Sequence, residues 1–225
     1  MTLTTLTGLL LVVVPIAFNV TFVLLQRAFE YPDILRKPTD YVLRRFKEGG
    51  APLRRLWYAF ALSAVLFTPV PVLVQQVFQP DAPWFLAVGT AMGVLAGAVQ
   101  FLGLIRWSFL VPSLADTYTH PESTQATRES VAVVFQAFHR YAGVAIGEHL
   151  GYLFTSAWTI LLCIAIVQTD VVNPLFGWLG VVPAIGVWIG VFEETGFKAA
   201  GAINAISYIL WSVWLIAFGV ALLLR

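Results

Sequence analysis

The chain has 225 residues, of which 59% are hydrophobic and only 11% are charged, and its formal net charge is +1. A soluble domain carries roughly 25% charged residues, so this chain has too few to cover a surface that faces water. The composition therefore predicts an integral membrane protein and excludes a nucleic-acid-binding protein. The single cysteine, Cys163, excludes a disulfide framework and a cysteine metal cluster.

Six stretches without a charged residue predict six transmembrane helices. They are 1–26, 56–80, 82–105, 149–169, 171–192 and 199–224. At about 1.5 Å per residue, each can cross a hydrocarbon core of roughly 30 Å, and a backbone in lipid must be helical to satisfy its own hydrogen bonds. The first stretch has no Lys or Arg before its apolar core, so we expect a retained span and not a signal peptide.

The loop between the first two spans is strongly basic, since eight of the thirteen Lys and Arg residues lie between Arg27 and Arg55. Asp40 is placed to cap a short helix, and Gly49 and Gly50 to end it. The apolar residues of that helix are Val42, Leu43 and Phe46. We expect it to lie on the membrane surface, where the basic loop would attract the anionic headgroups of the lipid bilayer.

Prolines and glycines shape the second, third and fourth spans. Pro69 and Pro71 predict a kink in the second span, and Pro112 predicts a bend or an end in the third. Two glycine stripes of four-residue spacing predict close packing of the third span against the fourth. These stripes are Gly89, Gly93 and Gly97, and Gly143, Gly147 and Gly151.

The third loop predicts a second short helix at the interface. The segment 119–122 resembles a helix start, with Pro121 in the first turn and Glu122 as the capping partner. Residues 131–142 are amphipathic and run on into the fourth span. Their apolar face is Val131, Val134, Phe135, Phe138 and Ala142.

The remaining Lys and Arg residues predict the orientation. Arg106, Arg128 and Arg140 flank the third loop and Lys198 lies in the fifth, so the odd-numbered loops should be cytoplasmic. Both termini are then outside the cytoplasm. The predicted fold class is all-α: one domain, 1–225, forming a membrane bundle of six transmembrane helices with short interfacial helices in the first and third loops.

Four pieces of the chain carry a family resemblance: FEYPDILRKPT (29–39), RWSFLVPSLADTY (106–118), FHRYAGVAIGEHLGYL (138–153) and GAINAISYILWSVWLIAFGVALL (201–223). Together they resemble a bacterial family of small multi-span membrane proteins, the domain-of-unknown-function family DUF4386. The resemblance implies a multi-pass protein of the bacterial inner membrane. It implies no activity and no functional residue.

Ionisable residues next to apolar spans suggest a polar cluster, because such groups are rare in membranes and often functional. The candidate members are Arg106, Arg140, Glu148, His149, Gln100 and Asn204. A structural ion pair between Arg106 and Glu148 is one interpretation. A proton-coupled site is the other, in which His149 would relay protons near neutral pH.

Cofactor and metal sites have weaker support. His139 and His149 are ten residues apart, about 15 Å along a helix, so they cannot both bind one haem iron from a straight helix. The adjacent pair Glu148 and His149 does not share a helix face, so no metal site is predicted. A candidate apolar pocket for a quinone, carotenoid or lipid consists of Trp158, Tyr208, Trp211 and Trp214.

The sequence favours a non-enzymatic membrane protein, either an accessory or assembly subunit or a small-ligand binder, working in a larger membrane complex or as a homo-oligomer. No catalytic residue and no cofactor is predicted. Two alternatives stay open. One is a small proton-coupled transporter that uses Glu148 and His149 on a cytoplasm-facing path, and the other is a membrane haem protein or oxidoreductase.

Overall fold

The computed structural model describes all 225 residues, and the chain folds into helices without a β-strand. The α-helices are α1 (Leu3–Phe29), α2 (Thr39–Phe67), α3 (Val70–Val77), α4 (Trp84–Phe109), α5 (Val111–Thr119), α6 (Gln125–Phe138), α7 (Gly151–Gln168), α8 (Leu175–Ile189) and α9 (Ala200–Leu223). A π-helix, His139–Leu150, joins α6 to α7 and is called the π segment below. Two short 3₁₀ helices, Asp33–Arg36 and Gly190–Thr195, lie in the first and fifth loops.

Six helical units are long and apolar enough to cross a membrane, which confirms the predicted fold class. They are span 1 (Leu3–Phe29), span 2 (Thr39–Val77), span 3 (Trp84–Thr119), span 4 (Gln125–Gln168), span 5 (Leu175–Thr195) and span 6 (Ala200–Leu223). The protein is therefore an all-α, multi-pass membrane bundle. The end that holds the odd-numbered loops, with Arg36, Lys47 and Lys198, is called the basic end, and the other is the far end.

The six spans form a closed ring. Each span packs against the next one in the sequence, and span 6 packs against span 1. The contact between span 6 and span 1 is tight. A Cβ atom added to Gly219 in α9 would lie only 2.7 Å from the backbone carbonyl oxygen of Gly8. The interior of the ring is therefore shared by all six spans.

Proline interrupts spans 2 and 3 where the sequence predicts it. In span 2, α2 ends at Phe67 and α3 begins at Val70, on either side of Pro69. In span 3, α4 ends at Phe109 and α5 begins at Val111, followed at once by Pro112. Since proline has no N–H and its ring clashes with the preceding turn, these positions bend the spans without unfolding them.

The short helix predicted in the first loop is present, but its apolar face does not lie on lipid. It starts at Thr39, and Asp40 in its first turn makes an ion pair with Arg44 at 2.7 Å. The helix is separated from the rest of α2 by Gly50, whose φ of 54° favours glycine. Phe46 packs on Phe29, with ring centroids 5.8 Å apart. The predicted apolar face therefore packs against the bundle and closes its basic end.

The second short helix, α6, begins later than predicted. Its N-cap is Thr124, whose hydroxyl accepts a hydrogen bond from the backbone N–H of Thr127 at 3.1 Å. The predicted start at 119–122 instead forms the end of α5 and a turn. On the predicted apolar face, Val131 and Phe135 are buried, whereas Phe138 is 47% exposed.

Two apolar cores fill the ring at different depths. The far-end core draws on all six spans and centres on the aromatic side chains of Phe67, Trp158 and Trp211. The basic-end core is built by spans 1, 2 and 3 together with α6. The π segment, α7, α8 and α9 contribute no side chain to it.

Candidate functional site

Close backbone contact fixes the π segment against α4. A Cβ atom added to Gly103 would lie 2.7 Å from the Cα atom of Gly147, which real side chains do not tolerate. Gly143 and Gly151 also face α4, where their nearest neighbours are Arg106 and Gln100. The predicted close packing of spans 3 and 4 is present, and it involves all three glycines of the second stripe.

The first glycine stripe packs against spans 2 and 4, and not against span 4 alone as predicted. Gly89 faces Leu161 in span 4 at its far-end half. Gly97 faces span 2, since an added Cβ atom would lie 2.9 Å from the carbonyl oxygen of Ala64. Gly93 contacts Pro71 of span 2 as well as Trp158 of span 4. The stripe therefore packs α4 between two spans, and the contact with Gly147 comes from Gly103, which the four-residue pattern does not include.

Arg106 is buried at the contact between α4 and the π segment, with 9% of its surface exposed. Its guanidinium donates a hydrogen bond to the backbone carbonyl of Gly103, and its carbon Cζ lies 5.3 Å from the centre of the Trp107 ring. Its Nη2 atom is 3.4 Å from Nδ1 of His139. Because arginine can only donate, this contact requires Nδ1 of His139 to be the unprotonated ring nitrogen.

Glu148 has no charged partner. The predicted ion pair between Arg106 and Glu148 is absent, since no basic nitrogen lies within 4.0 Å of the Glu148 carboxylate, and this interpretation is corrected. The carboxylate also accepts no hydrogen bond from any group of the protein. Its side chain is half-buried, and the charge of Arg106 acts on it only from a greater distance. Arg106 is held instead by Gly103 and His139.

Three tyrosines lie near Glu148. Tyr31, Tyr152 and Tyr208 lie near enough for its charge to act on each of them, and the rings of Tyr152 and Tyr208 are 5.8 Å apart. All three are half-buried, and the hydroxyl of Tyr208 lies beside the hydroxyl of Thr155. Tyr31, Glu148, Tyr152 and Tyr208 thus form a group of half-buried polar side chains contributed by the first loop and by spans 4 and 6. We call this group the Glu148 crevice.

Tyr31 connects this crevice to the basic-end core. It comes from the first loop, and its ring packs at right angles on Trp57, with centroids 5.1 Å apart. Burial among aromatic side chains raises the pKa of the Tyr31 hydroxyl above its ordinary value of 10.0, and the nearby charge of Glu148 acts in the same direction. A side chain of the first loop therefore forms one wall of a crevice whose other walls belong to spans 4 and 6.

The other predicted members of the polar cluster lie around the crevice or outside it. Gln100 donates a hydrogen bond to the hydroxyl of Thr155 at 3.2 Å, at the far-end side of Glu148. Asn204 is buried, and its amide donates to the backbone carbonyl of Val187 at 2.9 Å. His149 is half-buried without a hydrogen-bond partner, and Arg140 is exposed without an ion pair.

The candidate apolar pocket is a packed aromatic cluster. Trp158 is fully buried, and its ring meets that of Trp211 with centroids 6.3 Å apart. Trp214 instead stacks on Phe218, and its indole N–H donates a hydrogen bond to the backbone carbonyl of Phe176 at 2.8 Å. Tyr208 belongs both to this cluster and to the Glu148 crevice, so it joins the far-end core to the polar interior.

Metal-ligating residues do not converge anywhere in the chain. No group of three or more His, Cys, Asp or Glu side chains lies close enough to hold a metal ion. His120 lies in the turn after α5, far along the chain from His139 and His149, which lie at the two ends of the π segment.

Sequence reasoning missed Tyr31, Tyr152 and the pairing of His139 with Arg106. Tyr152 carries a usable signal, because it follows Glu148 by four residues and so shares its helix face. Tyr31 carries none, since it lies in a loop and reaches the crevice only through the tertiary fold.

The comparisons with known proteins identify one family. The model described as Domain of unknown function (DUF4386) matches residues 6–219. No curated protein and no solved structure matches the chain.

Proposed function

The chain belongs to the DUF4386 family, and we propose that it is a non-enzymatic membrane protein that binds a small organic cation in the Glu148 crevice. The observation that carries this proposal is the unpartnered Glu148 carboxylate inside the ring. A charged group withdrawn from water and left without a partner is unfavourable, so a protein retains it where a ligand supplies the missing charge.

The surroundings of Glu148 indicate the ligand class. A carboxylate supplies the opposite charge for an ammonium group, and the rings of Tyr31, Tyr152 and Tyr208 supply the aromatic surface on which such cations bind. The competing positive charge of Arg106 is already engaged by the Gly103 carbonyl and directed toward His139. An amine-bearing or quaternary ammonium ligand therefore fits the crevice better than an anion.

Tetramethylammonium is a suitable probe. The thermal unfolding midpoint of the protein in detergent should rise with tetramethylammonium chloride and stay unchanged with sodium chloride at equal ionic strength, because a ligand that binds only the folded state stabilises it. Glu148→Gln keeps the shape and should abolish the rise. Glu122→Gln removes an exposed carboxylate in the third loop and should preserve it. An equal rise in E148Q, or none in the wild-type protein, would refute the proposal.

The second candidate function is a proton-coupled transporter, and it rests on the same carboxylate lying inside a closed ring of spans. His149 directly follows Glu148 and has no hydrogen-bond partner in the protein, and in this proposal the two residues form the proton-carrying site. Proteoliposomes with an internal pH dye would test this. Proton movement that is lost in Glu148→Gln and in His149→Ala would support transport, and movement that survives both would exclude this site.

We infer that the basic end faces the cytoplasm of a bacterial inner membrane, because Lys and Arg residues accumulate in the odd-numbered loops. Both termini are then outside. Cys163 is buried, so an introduced cysteine can report the orientation with little background. A membrane-impermeant maleimide added to spheroplasts should label Asp81→Cys at the far end and leave Glu122→Cys unlabelled. The reverse pattern would invert the orientation.

The accessory-subunit function remains compatible with a ligand-binding crevice. The bundle exposes large apolar side chains on most of its spans, and lipid or a partner helix covers such a surface equally well. Purification at low detergent concentration, followed by identification of co-purifying chains, separates a subunit of a complex or a homo-oligomer from a protein that works alone.

A further inference from the structure

A groove runs between α2 and the junction of α4 with α5 at the basic end. It consists of two adjoining cavities of about 460 Å³ and 340 Å³, which share Arg54, Ser108 and Phe109. Arg55 and Tyr58 complete the first cavity on the α2 side. The groove lies on the outer wall of the ring, separate from the Glu148 crevice inside it.

The groove carries unneutralised positive charge. Arg54 and Arg55 make no ion pair, whereas Arg44 and Lys47 in the same basic loop each have a carboxylate partner. Asp116 is the one carboxylate that lines the groove, and Lys47 holds it in an ion pair at 2.5 Å. Two exposed arginines are therefore left to bind an anion.

Ser108 gives the groove a buried hydroxyl group that is available for hydrogen bonding. It lines both cavities and is only 3% exposed, and its hydroxyl has no hydrogen-bond partner. A buried hydroxyl without a partner is unfavourable by about 1–3 kcal/mol, and a phosphate oxygen in the groove would accept its hydrogen. The neighbouring arginines supply the charge for the same phosphate.

The rim of the groove indicates that the phosphate belongs to a lipid. Tyr58 and Phe109 are 45% and 68% exposed, and their rings meet edge to face with centroids 6.4 Å apart. Tyr58 and Phe109 each lie three residues after an arginine, Arg55 and Arg106, where the charge-free apolar stretches of spans 2 and 3 begin and end. Aromatic side chains at such a boundary sit at the level of the lipid headgroups, and basic pockets between transmembrane helices bind anionic headgroups.

We propose that the groove formed by Arg54, Arg55, Ser108, Tyr58 and Phe109 binds the phosphate headgroup of an anionic phospholipid. The arginines and the Ser108 hydroxyl hold the phosphate, and the Tyr58 and Phe109 rings contact the glycerol and the first acyl carbons. This site gives the basic first loop a defined attachment point in place of a diffuse attraction to the membrane surface.

Native mass spectrometry of the full-length protein tests this. The protein is released from micelles that contain equal amounts of dioleoyl-phosphatidylglycerol and dioleoyl-phosphatidylcholine, and the ratio of the two bound lipids is measured. We expect the wild-type protein to favour phosphatidylglycerol, and Arg54→Gln to lower the ratio about fivefold. Arg140→Gln is the matched control, since Arg140 is also exposed and unpaired at the basic end.

Ser108→Ala separates a bound headgroup from general charge attraction. It should lower the ratio without lowering the thermal unfolding midpoint, because the hydroxyl has no partner in the protein to lose. Four results would overturn the proposal: no lipid preference in the wild-type protein, an unchanged ratio in Ser108→Ala, an equal loss in Arg140→Gln and Arg54→Gln, or displacement of phosphatidylglycerol by inorganic phosphate.

Discussion

Trp211 donates its indole N–H to the hydroxyl of Thr159 at 2.8 Å, across the interior of the ring. The bond joins α9 to α7, two helices that are not neighbours in the ring, at a depth where both side chains are buried. Thr159 in turn donates to the backbone carbonyl of Thr155, beside the Glu148 crevice. This polar bridge fixes the boundary between the far-end core and the polar interior.

Replacing Thr159 with valine should destabilise the protein by about 1–2 kcal/mol, because the indole N–H of Trp211 would stay buried without an acceptor. Ser156→Ala is the matched control. Ser156 lies on the same helix and is equally buried, but its hydroxyl has no partner, so its removal should cost little or nothing. Thermal unfolding in detergent, followed by tryptophan fluorescence, measures both. Equal losses would show that the bridge contributes nothing specific.

Gly103→Ala should lower stability by about 1–3 kcal/mol, since its methyl group would overlap the backbone of Gly147 and force α4 away from the π segment. Ala145→Leu adds a larger side chain to the π segment, but at an exposed position, and should leave the unfolding midpoint nearly unchanged. The comparison is made in one detergent at one protein concentration. If Gly103→Ala were tolerated as well as Ala145→Leu, the close backbone contact would be absent in solution.

Glu148→Gln should stabilise the ligand-free protein by about 1 kcal/mol, because it removes an unpaired charge from a half-buried position. Residues that serve binding often reduce stability in this way. Glu122→Gln, at an exposed position, should change the unfolding midpoint little. A loss of stability in Glu148→Gln would mean that the carboxylate has a stabilising partner, and the crevice would then be structural.

Stability should decline at alkaline pH, and Tyr31→Phe should reduce that decline. Tyr31 binds its proton more tightly in the folded chain than in the unfolded chain, because its pKa is raised above 10.0 by burial. Its contribution is therefore fully present below pH 10.0 and is lost as the pH rises above that value. Unfolding midpoints of the wild-type protein and of Tyr31→Phe, measured from about pH 8 to about pH 11, give the slope of stability against pH for each protein. Identical slopes would contradict the burial of this hydroxyl.

The spans and their bends follow from local sequence because the membrane leaves few choices. A charge-free stretch of sufficient length must be helical, and Pro69 and Pro112 disturb the helix wherever they occur. Gly50 marks the end of the first-loop helix for the same local reason. What local pattern could not predict is the surface that covers Val42 and its neighbours, because a protein core and a lipid layer favour the same apolar face.

The candidate site was only partly predictable for a related reason. Apolar surroundings single out Arg106 and Glu148 as unusual, but they do not specify partners, and pairing the two opposite charges was wrong. The actual neighbour of Arg106 is His139, from the other end of the π segment. Tyr31 reaches the crevice because a loop folds back between spans, and such a position depends on contacts that are distant in the sequence.

The π segment also determines where span 4 can change in length. A helix with i→i+5 hydrogen bonds holds more residues in each turn than an α-helix. This stretch therefore contains more residues than an α-helix of the same length would need. Losing one residue between His139 and Leu150 could be absorbed by a narrower turn, and α7 would keep its place in the ring. The same loss inside α7 would rotate part of that helix by about 100° and carry Trp158 or Thr159 away from the interior. A deletion in the π segment is therefore expected to reshape the crevice while the scaffold persists, whereas a deletion in α7 is expected to disturb the scaffold itself.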